Sequence, residues 1–400
     1  MNAKARGLLL LADSIDDREV LDLARELIRV PSITKSEDRV SKFIHGRLDR
    51  WGLDPRQMKV RGYGPNVIAE IGPRNTPGIS LNGHMDTVEV MNGWKHDPFG
   101  AKVENGLLYG LGSLDMKSGL AAMMVAFRHA AESGVTLSSR IVFQAVTGEE
   151  DTSAGVRALI DRGEMRRTRA VIVGEGFGGL RAITNGRRGG SYFDLEVIGR
   201  AAHGSKPEDG ISAVSDASKI VCALDGMKMR RAPGLIGDDF LPLKESQTVL
   251  RIQGGSGTLT VPERCSLRVI RCTILGSGEV ADQLARVVRG LKLRSTVTME
   301  LESTPGNLFH PYRTDPESPL VLTASRWIKN LTGKAPTLVI GRSEADDNLI
   351  AHDAKIPVIC FGPGEWGDLA RYHQPEEAVR IAQLGDAARA YLATALDLAS

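Results

Sequence analysis

Strand-type and helix-type stretches take turns along most of this chain, and the alternation breaks once, between about residues 187 and 305. That interruption limits the possible folds more than any other feature. Before it, a helix is expected over 14–31, where Leu21, Leu23, Ala24, Leu27 and Ile28 form one apolar stripe and Pro31 ends it. A second helix over 36–51 turns Val40, Phe43, Ile44 and Leu48 inward. Strands follow at 66–71, 79–82 and 107–109, then a helix at 116–133, a strand at 140–146, a helix at 154–162 and a strand at 170–173. The pattern resumes with a helix at 320–331, strands at 337–340 and 357–361, and a last helix from 376 to 399. Such alternation predicts an α/β fold, a mostly parallel sheet with helices on both faces.

Inside the interruption the rhythm changes. Residues 192–198 alternate like a strand with one wet face, 211–224 read as a helix, 247–253 and 266–274 as strands, 280–291 as a helix and 295–301 as a strand. The order strand-helix-strand-strand-helix-strand is that of a ferredoxin-like α+β unit, which closes on itself in two layers. The chain therefore reads as one domain formed by 1–186 and 306–400, with a second, 187–305, inserted into it. Two domains also suit 400 residues, which exceed what one core usually holds.

Charge excludes some partners. Lys plus Arg number 51 and Asp plus Glu 49, with no basic stripe, so neither nucleic acid nor an anionic membrane is expected. The run Leu8–Leu11 is too short to span a bilayer, and Asp13, Asp16 and Asp17 follow at once; it reads as neither anchor nor signal peptide. The four cysteines form no Cys-x-x-Cys, which suits a reducing cytoplasm.

The residues with chemical potential stand after the strands. In Leu81-Asn82-Gly83-His84-Met85-Asp86-Thr87, His84 and Asp86 project to the same side. Asp86 is then expected to take a proton from one imidazole nitrogen while the other meets a metal. Asp115, in Gly110-Leu111-Gly112-Ser113-Leu114-Asp115, fits a helix N-cap. A dinucleotide loop is the rival reading, but a carboxylate at that position would repel a pyrophosphate. Glu149-Glu150-Asp151 follows a strand; an acidic turn is the plain reading, a ligand beside a proton acceptor the functional one. Glu175 ends another strand and His373 precedes the last helix. Together two histidines and three acids form a mixed nitrogen and oxygen set suited to zinc, cobalt or manganese.

On these residues the chain resembles the dinuclear-metal amidohydrolases that include aminoacylase, acetylornithine deacetylase, succinyl-diaminopimelate desuccinylase and the glutamate carboxypeptidases. The resemblance rests on Gly83-His84-Met85-Asp86, Trp94-Lys95-His96-Asp97-Pro98-Phe99, Asp115-Met116-Lys117, Glu149-Glu150 and His373, and it includes the insert. It implies two divalent ions bridged by Asp115, one completed by His84 and Glu175 and the other by Glu150 and His373. Glu149 is implied as general base and Asp86 as the residue that orients His84. The substrate implied is a small amide or peptide. Gly199-Arg200-Ala201-Ala202-His203-Gly204 is similar to the family's inserted-domain motif, which implies a lid and dimerisation domain, a homodimer, and His203 reaching the neighbouring subunit's site.

Substrate positions depart from the family. Where relatives show Gly-x-Ser/Thr-Asp-Ala-Arg, this chain has Gly341-Arg342-Ser343-Glu344-Ala345-Asp346, with Asp346 at the place of the substrate-gripping Arg. An Asn expected near Leu259 is also missing, and Gly176 stands where many relatives have Pro. Either Arg187, Arg188 or Arg342 grips a substrate carboxylate, or the C–N bond cleaved belongs to an atypical substrate, such as an aryl amine or an amide without that carboxylate. A binding protein on the same scaffold would have no need of Glu149, and a nucleotide-dependent oxidoreductase is disfavoured by Asp115.

Overall fold

The computed structural model describes residues 3–176, 178–255, 257, 259–302, 309–364 and 371–400. Among them, nine strands form the larger sheet. Its centre runs Ile141–Val146, Gly78–His84, Thr168–Val173, Val358–Cys360, each parallel to the next. Every residue of Gly78–His84 and of Ile141–Val146 is buried, as expected for parallel strands covered on both faces. Antiparallel strands flank this centre: Asn66–Ile71 and Arg56–Met58 on one side, Ala182–Arg187 and Tyr312–Arg313 on the other. Thr337–Gly341 pairs parallel with Ala182–Arg187.

One face of this sheet packs against Asp17–Ile28, Lys117–Glu132, Pro319–Thr332 and Ala382–Ala399, through Leu27, Phe127, Trp327 and Tyr391 among others. The opposite face packs Val156 and Leu159 of Ala154–Asp161 and Leu349 and Ile350 of Asp346–His352. Lys117–Glu132 is apolar nearly all round, the mark of a helix buried between layers.

The smaller sheet has four antiparallel strands in the order Ser246–Gly254, Arg264–Thr273, Gly189–Ile198, Thr296–Leu301. Ala213–Asp225 and Ser277–Gly290 cover one face, closing a core of Phe193, Val197, Ile220, Leu267, Val269 and Leu284. The expected strand-helix-strand-strand-helix-strand order is present. The chain leaves the larger sheet at Arg187 and enters the smaller at Gly189. The expected return after residue 305, and Ser256 and Thr258 of the glycine-rich run, lie outside the described residues.

Some elements differ from expectation. The Leu8–Leu11 run lies in a helix of its own, Ala3–Asp13, which packs beside Ala382–Ala399. The last helix starts at Ala382 rather than 376, because Ala378–Arg380 pairs as a strand with Leu107–Tyr109. A hairpin of Arg231–Ile236 and Pro242–Lys244 interrupts the insert and reaches the larger sheet, where Gly237 bridges Ile340. Short, weakly patterned pieces of this kind draw their order from contacts far away in sequence. Among the described residues no helix is long and apolar enough to cross a membrane.

Candidate metal centre

Parallel neighbours present their C-terminal ends along one edge, so side chains that follow different strands meet there. His84 is the last residue of Gly78–His84, Glu149 and Glu150 follow Ile141–Val146, and Glu175 follows Thr168–Val173. Asp115 arrives from the turn that opens Lys117–Glu132, and His373 from the turn before Ala378–Arg380.

The Asp115 carboxylate lies between the two imidazoles. Its Oδ1 is 2.9 Å from His84 Nε2 and its Oδ2 is 3.2 Å from His373 Nε2. His373 Nε2 is also 3.1 Å from Glu150 Oε2. Ligand atoms of Asp115, Glu150 and His373 fall within 4.8 Å of one another, as do those of His84, Glu149 and Glu150. A cavity of about 510 Å³ opens over Asp115, Glu149, Glu150, Glu175, Tyr372 and His373. Glu175 thus faces the same space, though its Oε2 lies 3.2 Å from Arg187 Nη2.

Electrostatics in this cavity favour added cations. Burial pushes Glu149 well above the ordinary carboxylate range, with Asp346, Glu150 and Glu175 adding repulsion. Burial also raises Glu150, and lifts Glu175 to about 7 against the pull of Arg187. Burial works to raise Asp115 too, but hydrogen bonds from His373 and His84 outweigh it and hold that carboxyl well below its usual value. The same contacts with Asp115, and those with Glu150, lift His373 to about 11. Four crowded carboxylates with two imidazoles form an oxygen and nitrogen set that borderline divalent ions accept, and the ions would relieve the repulsion. The residues present fit a pair of divalent metal ions.

The surrounding polar groups differ from the sequence expectation in two places. Asp86 was expected to orient His84 through its carboxylate. His84 Nδ1 lies 3.1 Å from the Asp86 main-chain oxygen and 3.7 Å from its carboxylate, so the main-chain oxygen is the nearer contact and the carboxylate an ion-pair neighbour. That carboxylate accepts the backbone N–H groups of Glu149 and Glu150 at 3.2 Å and the Thr34 hydroxyl at 3.0 Å. It therefore ties the Glu149-Glu150 turn to the strand that carries His84. Arg187, expected as a possible substrate grip, is fully buried. It is held by the Asp347 carboxylate at 2.7 Å, the Ser343 hydroxyl at 2.9 Å and Glu175, so it supports the wall behind the cavity rather than facing substrate.

Arg188 and Arg342 do line the cavity, whereas Asp346 is buried behind it, beside the candidate ligands, where burial lifts its carboxyl to about 7. His203 is exposed, bonded through Nδ1 to the Ser205 hydroxyl at 2.7 Å, and it does not line this cavity. A larger cavity, of about 700 Å³, is lined by Leu180, Phe240, Thr332 and Gln383 and contains none of these residues.

Two buried ionisable residues carry structural roles that the sequence reading did not assign them. Glu377 accepts the backbone N–H groups of Gly112, Leu114 and Asp115 at 2.7–3.1 Å, clamping the turn that delivers Asp115. Lys117 donates to the carbonyls of Leu27 at 3.1 Å and Val30 at 2.8 Å, tying the start of its helix to the end of Asp17–Ile28. A Lys within an otherwise apolar helix, and an acid opening an apolar strand, were the available signals.

Comparison with known proteins agrees with this geometry. Residues 80–397 match the family described as Peptidase family M20/M25/M40, and the chain belongs to it. It is a metal-dependent hydrolase of amide bonds. The succinyl-diaminopimelate desuccinylase of Dinoroseobacter shibae is 29% identical over 388 residues, spanning 90% of this chain and 94% of the relative. An N-formyl-4-amino-5-aminomethyl-2-methylpyrimidine deformylase of Bacillus subtilis is 26% identical over 400 aligned positions, spanning 92% and 91%. In fold, the chain superimposes on a Bacillus subtilis structure titled a dinuclear metal binding peptidase of the family, with TM-score 0.72 at 17% identity over 96% of this chain and 98% of that one.

Proposed function

We propose that His84, Asp115, Glu150, Glu175 and His373 hold two divalent ions, zinc first and cobalt or manganese as alternatives, and that Glu149 is the general base for hydrolysis of a small amide. The observation that supports this most directly is the Asp115 carboxylate, with one oxygen against each imidazole. When bound, the ions would polarise the scissile carbonyl and lower the pKa of water. Glu149 then accepts the water's proton and passes it to the leaving nitrogen. Its buried, raised carboxyl suits a group that must hold a proton and give it back. Asp86 keeps Glu149 and Glu150 in register by holding their N–H groups.

A substrate without the usual carboxylate is the second reading, and two arginines favour it. Arg187 is pinned inside the wall, and Arg342 is paired with Asp238 and Asp239. The deformylase relative, by its name, acts on an aminopyrimidine amide.

Residues 187–305 act in this reading as lid and dimerisation domain. The free edge of Ser246–Gly254, with Leu250 and Ile252 half exposed, is suited to join a second copy, which would bring His203 to the neighbouring site. The cytoplasm fits the free thiols.

Exhaustive chelation should abolish amide hydrolysis, and zinc, cobalt or manganese should restore it to different extents. Glu149→Gln should keep both ions by elemental analysis while turnover falls about 100- to 10,000-fold. Full activity after chelation, or near-normal turnover in that variant, sinks the reading.

A further inference from the structure

The cavity over the metal ligands continues past them, and its far lining is Arg188, Asp238, Arg342, Ser343 and Glu344. Capture of a substrate carboxylate there would need a guanidinium with a free fork. Arg342 directs its donors to Asp238 at 2.7 Å and Asp239 at 2.5 Å. Arg188 is buried and donates Nε and Nη2 to the Arg342 carbonyl and Nη1 to the Lys244 carbonyl.

Glu344 stands apart. Among the described residues it makes no ion pair, and its side-chain contact is the Cys272 thiol, a weak donor, 3.9 Å from Oε1. The carboxylate is seated against Gly190, where any Cβ would take its place, so the seat is built into the start of Gly189–Ile198. Burial pushes this carboxyl above its ordinary range even with Arg188 nearby. Along this far lining Arg188 and Arg342 stand against Asp238 and Glu344, and Asp239, outside the lining, also holds Arg342. Arg342 is thus taken up by the two aspartates, and Glu344 is the far-lining acid without an ion pair among the described residues.

We propose that Glu344 is a specificity-determining residue whose carboxylate receives a protonated amine of the substrate. The inference rests on the hydrolase reading above and adds a substrate class to it: amides that carry a cationic amino group, rather than a free carboxylate, at that end. A half-buried carboxylate rewards an ammonium with a charge-assisted hydrogen bond, and it repels a second carboxylate.

The test uses three N-acetylated alkylamines of equal chain length, ending in an ammonium, a carboxamide or a carboxylate. Their binding is measured by calorimetry on the zinc-loaded Glu149→Gln protein, which does not need turnover. The ammonium member should bind about 10-fold tighter than the carboxamide, and adding Glu344→Gln should remove that advantage while changing carboxamide binding by less than about 2-fold. Glu344→Asp should keep part of the preference, which a merely structural role would not predict. Circular dichroism and zinc content report whether each variant is folded. Equal binding of the three, tighter binding of the carboxylate, or an order unchanged by Glu344→Gln overturns the assignment. Hydrolysis of the same three compounds by the unsubstituted protein is the separate readout. An ammonium preference without any hydrolysis would sink the hydrolase reading and leave the Glu344 assignment standing.

Discussion

The two sheets bury a cationic side chain each, and the two cations do different work. In the larger sheet Arg187 joins the Asp347 carboxylate to Glu175, at the edge where the proposed metal ligands gather. In the smaller, Arg271 joins Glu245, 2.7 Å away, to the end of Arg264–Thr273, apart from the cavity that holds the candidate ligands. The difference follows from the strands. Gly78–His84 is buried throughout, so carboxylates at its end are desolvated and crowd one another. Arg264–Thr273 alternates between buried and partly wet positions, the pattern of a sheet with one covered face. Two-sided burial crowds carboxylates at a strand end; one-sided burial leaves a face and an edge toward solvent.

Removing each arginine in turn is the strongest way to break this comparison. Arg187→Met and Arg271→Met should each cost about 3–5 kcal/mol of stability, since each strands a buried carboxylate. Only Arg187→Met should also weaken metal binding, by about 10- to 100-fold, because Glu175 loses its partner. Denaturant unfolding and competition with a metal indicator check the two effects. Equal metal affinity in both variants would erase the distinction drawn between the sheets.

A smaller effect comes from the clamp behind Asp115. Burial raises Glu377 from 4.5 to about 8 and lowers Lys117 from 10.5 to about 7. Between pH 4.5 and 8 the folded chain keeps a proton on Glu377 that the unfolded chain has released, so stability falls as pH rises through that window. Between pH 7 and 10.5 the unfolded chain keeps a proton on Lys117 that the folded chain lacks, so stability rises with pH there. On account of these two groups the metal-free protein should melt lowest between pH 7 and 8. Glu377→Gln should flatten the falling limb and, by presenting an amide N–H to the turn's own donors, loosen metal binding about 10-fold. A melting profile unchanged by the substitution removes Glu377 from this account.

The mildest change is expected at the free edge. Ile252→Lys, on a half-exposed position of Ser246–Gly254, should leave metal content and the fold of the monomer as they are. Light scattering should then report a smaller assembly than for the unsubstituted chain. An unaltered mass places the association surface elsewhere.

Much of the fold was legible because its signals are local. The apolar runs at 79–82 and 140–146 and the alternation at 192–198 each reflect a strand's own environment, and the strands observed lie there. The five residues expected as ligands each follow a strand or open a helix, and the structure brings them together about one cavity. The hairpin Arg231–Ile236 with Pro242–Lys244 was not legible, because its strands are short and its order comes from meeting Ile340. Asp86 does stand beside His84, but the nearer contact of Nδ1 is the Asp86 main-chain oxygen at 3.1 Å, with the carboxylate at 3.7 Å, since a two-residue spacing fixes side and not which oxygen is met.

By itself the sequence determined the layers and the residue types available at the strand ends, because period and turn chemistry depend on a few successive residues. Only the tertiary structure decided which charges are spent and which are free. Arg187 is claimed by Asp347, 160 positions away, and the Asp115 turn by Glu377, 262 positions away. No local pattern encodes such pairings, since they depend on the path of the whole chain, and a buried charge takes whatever partner that path brings within reach.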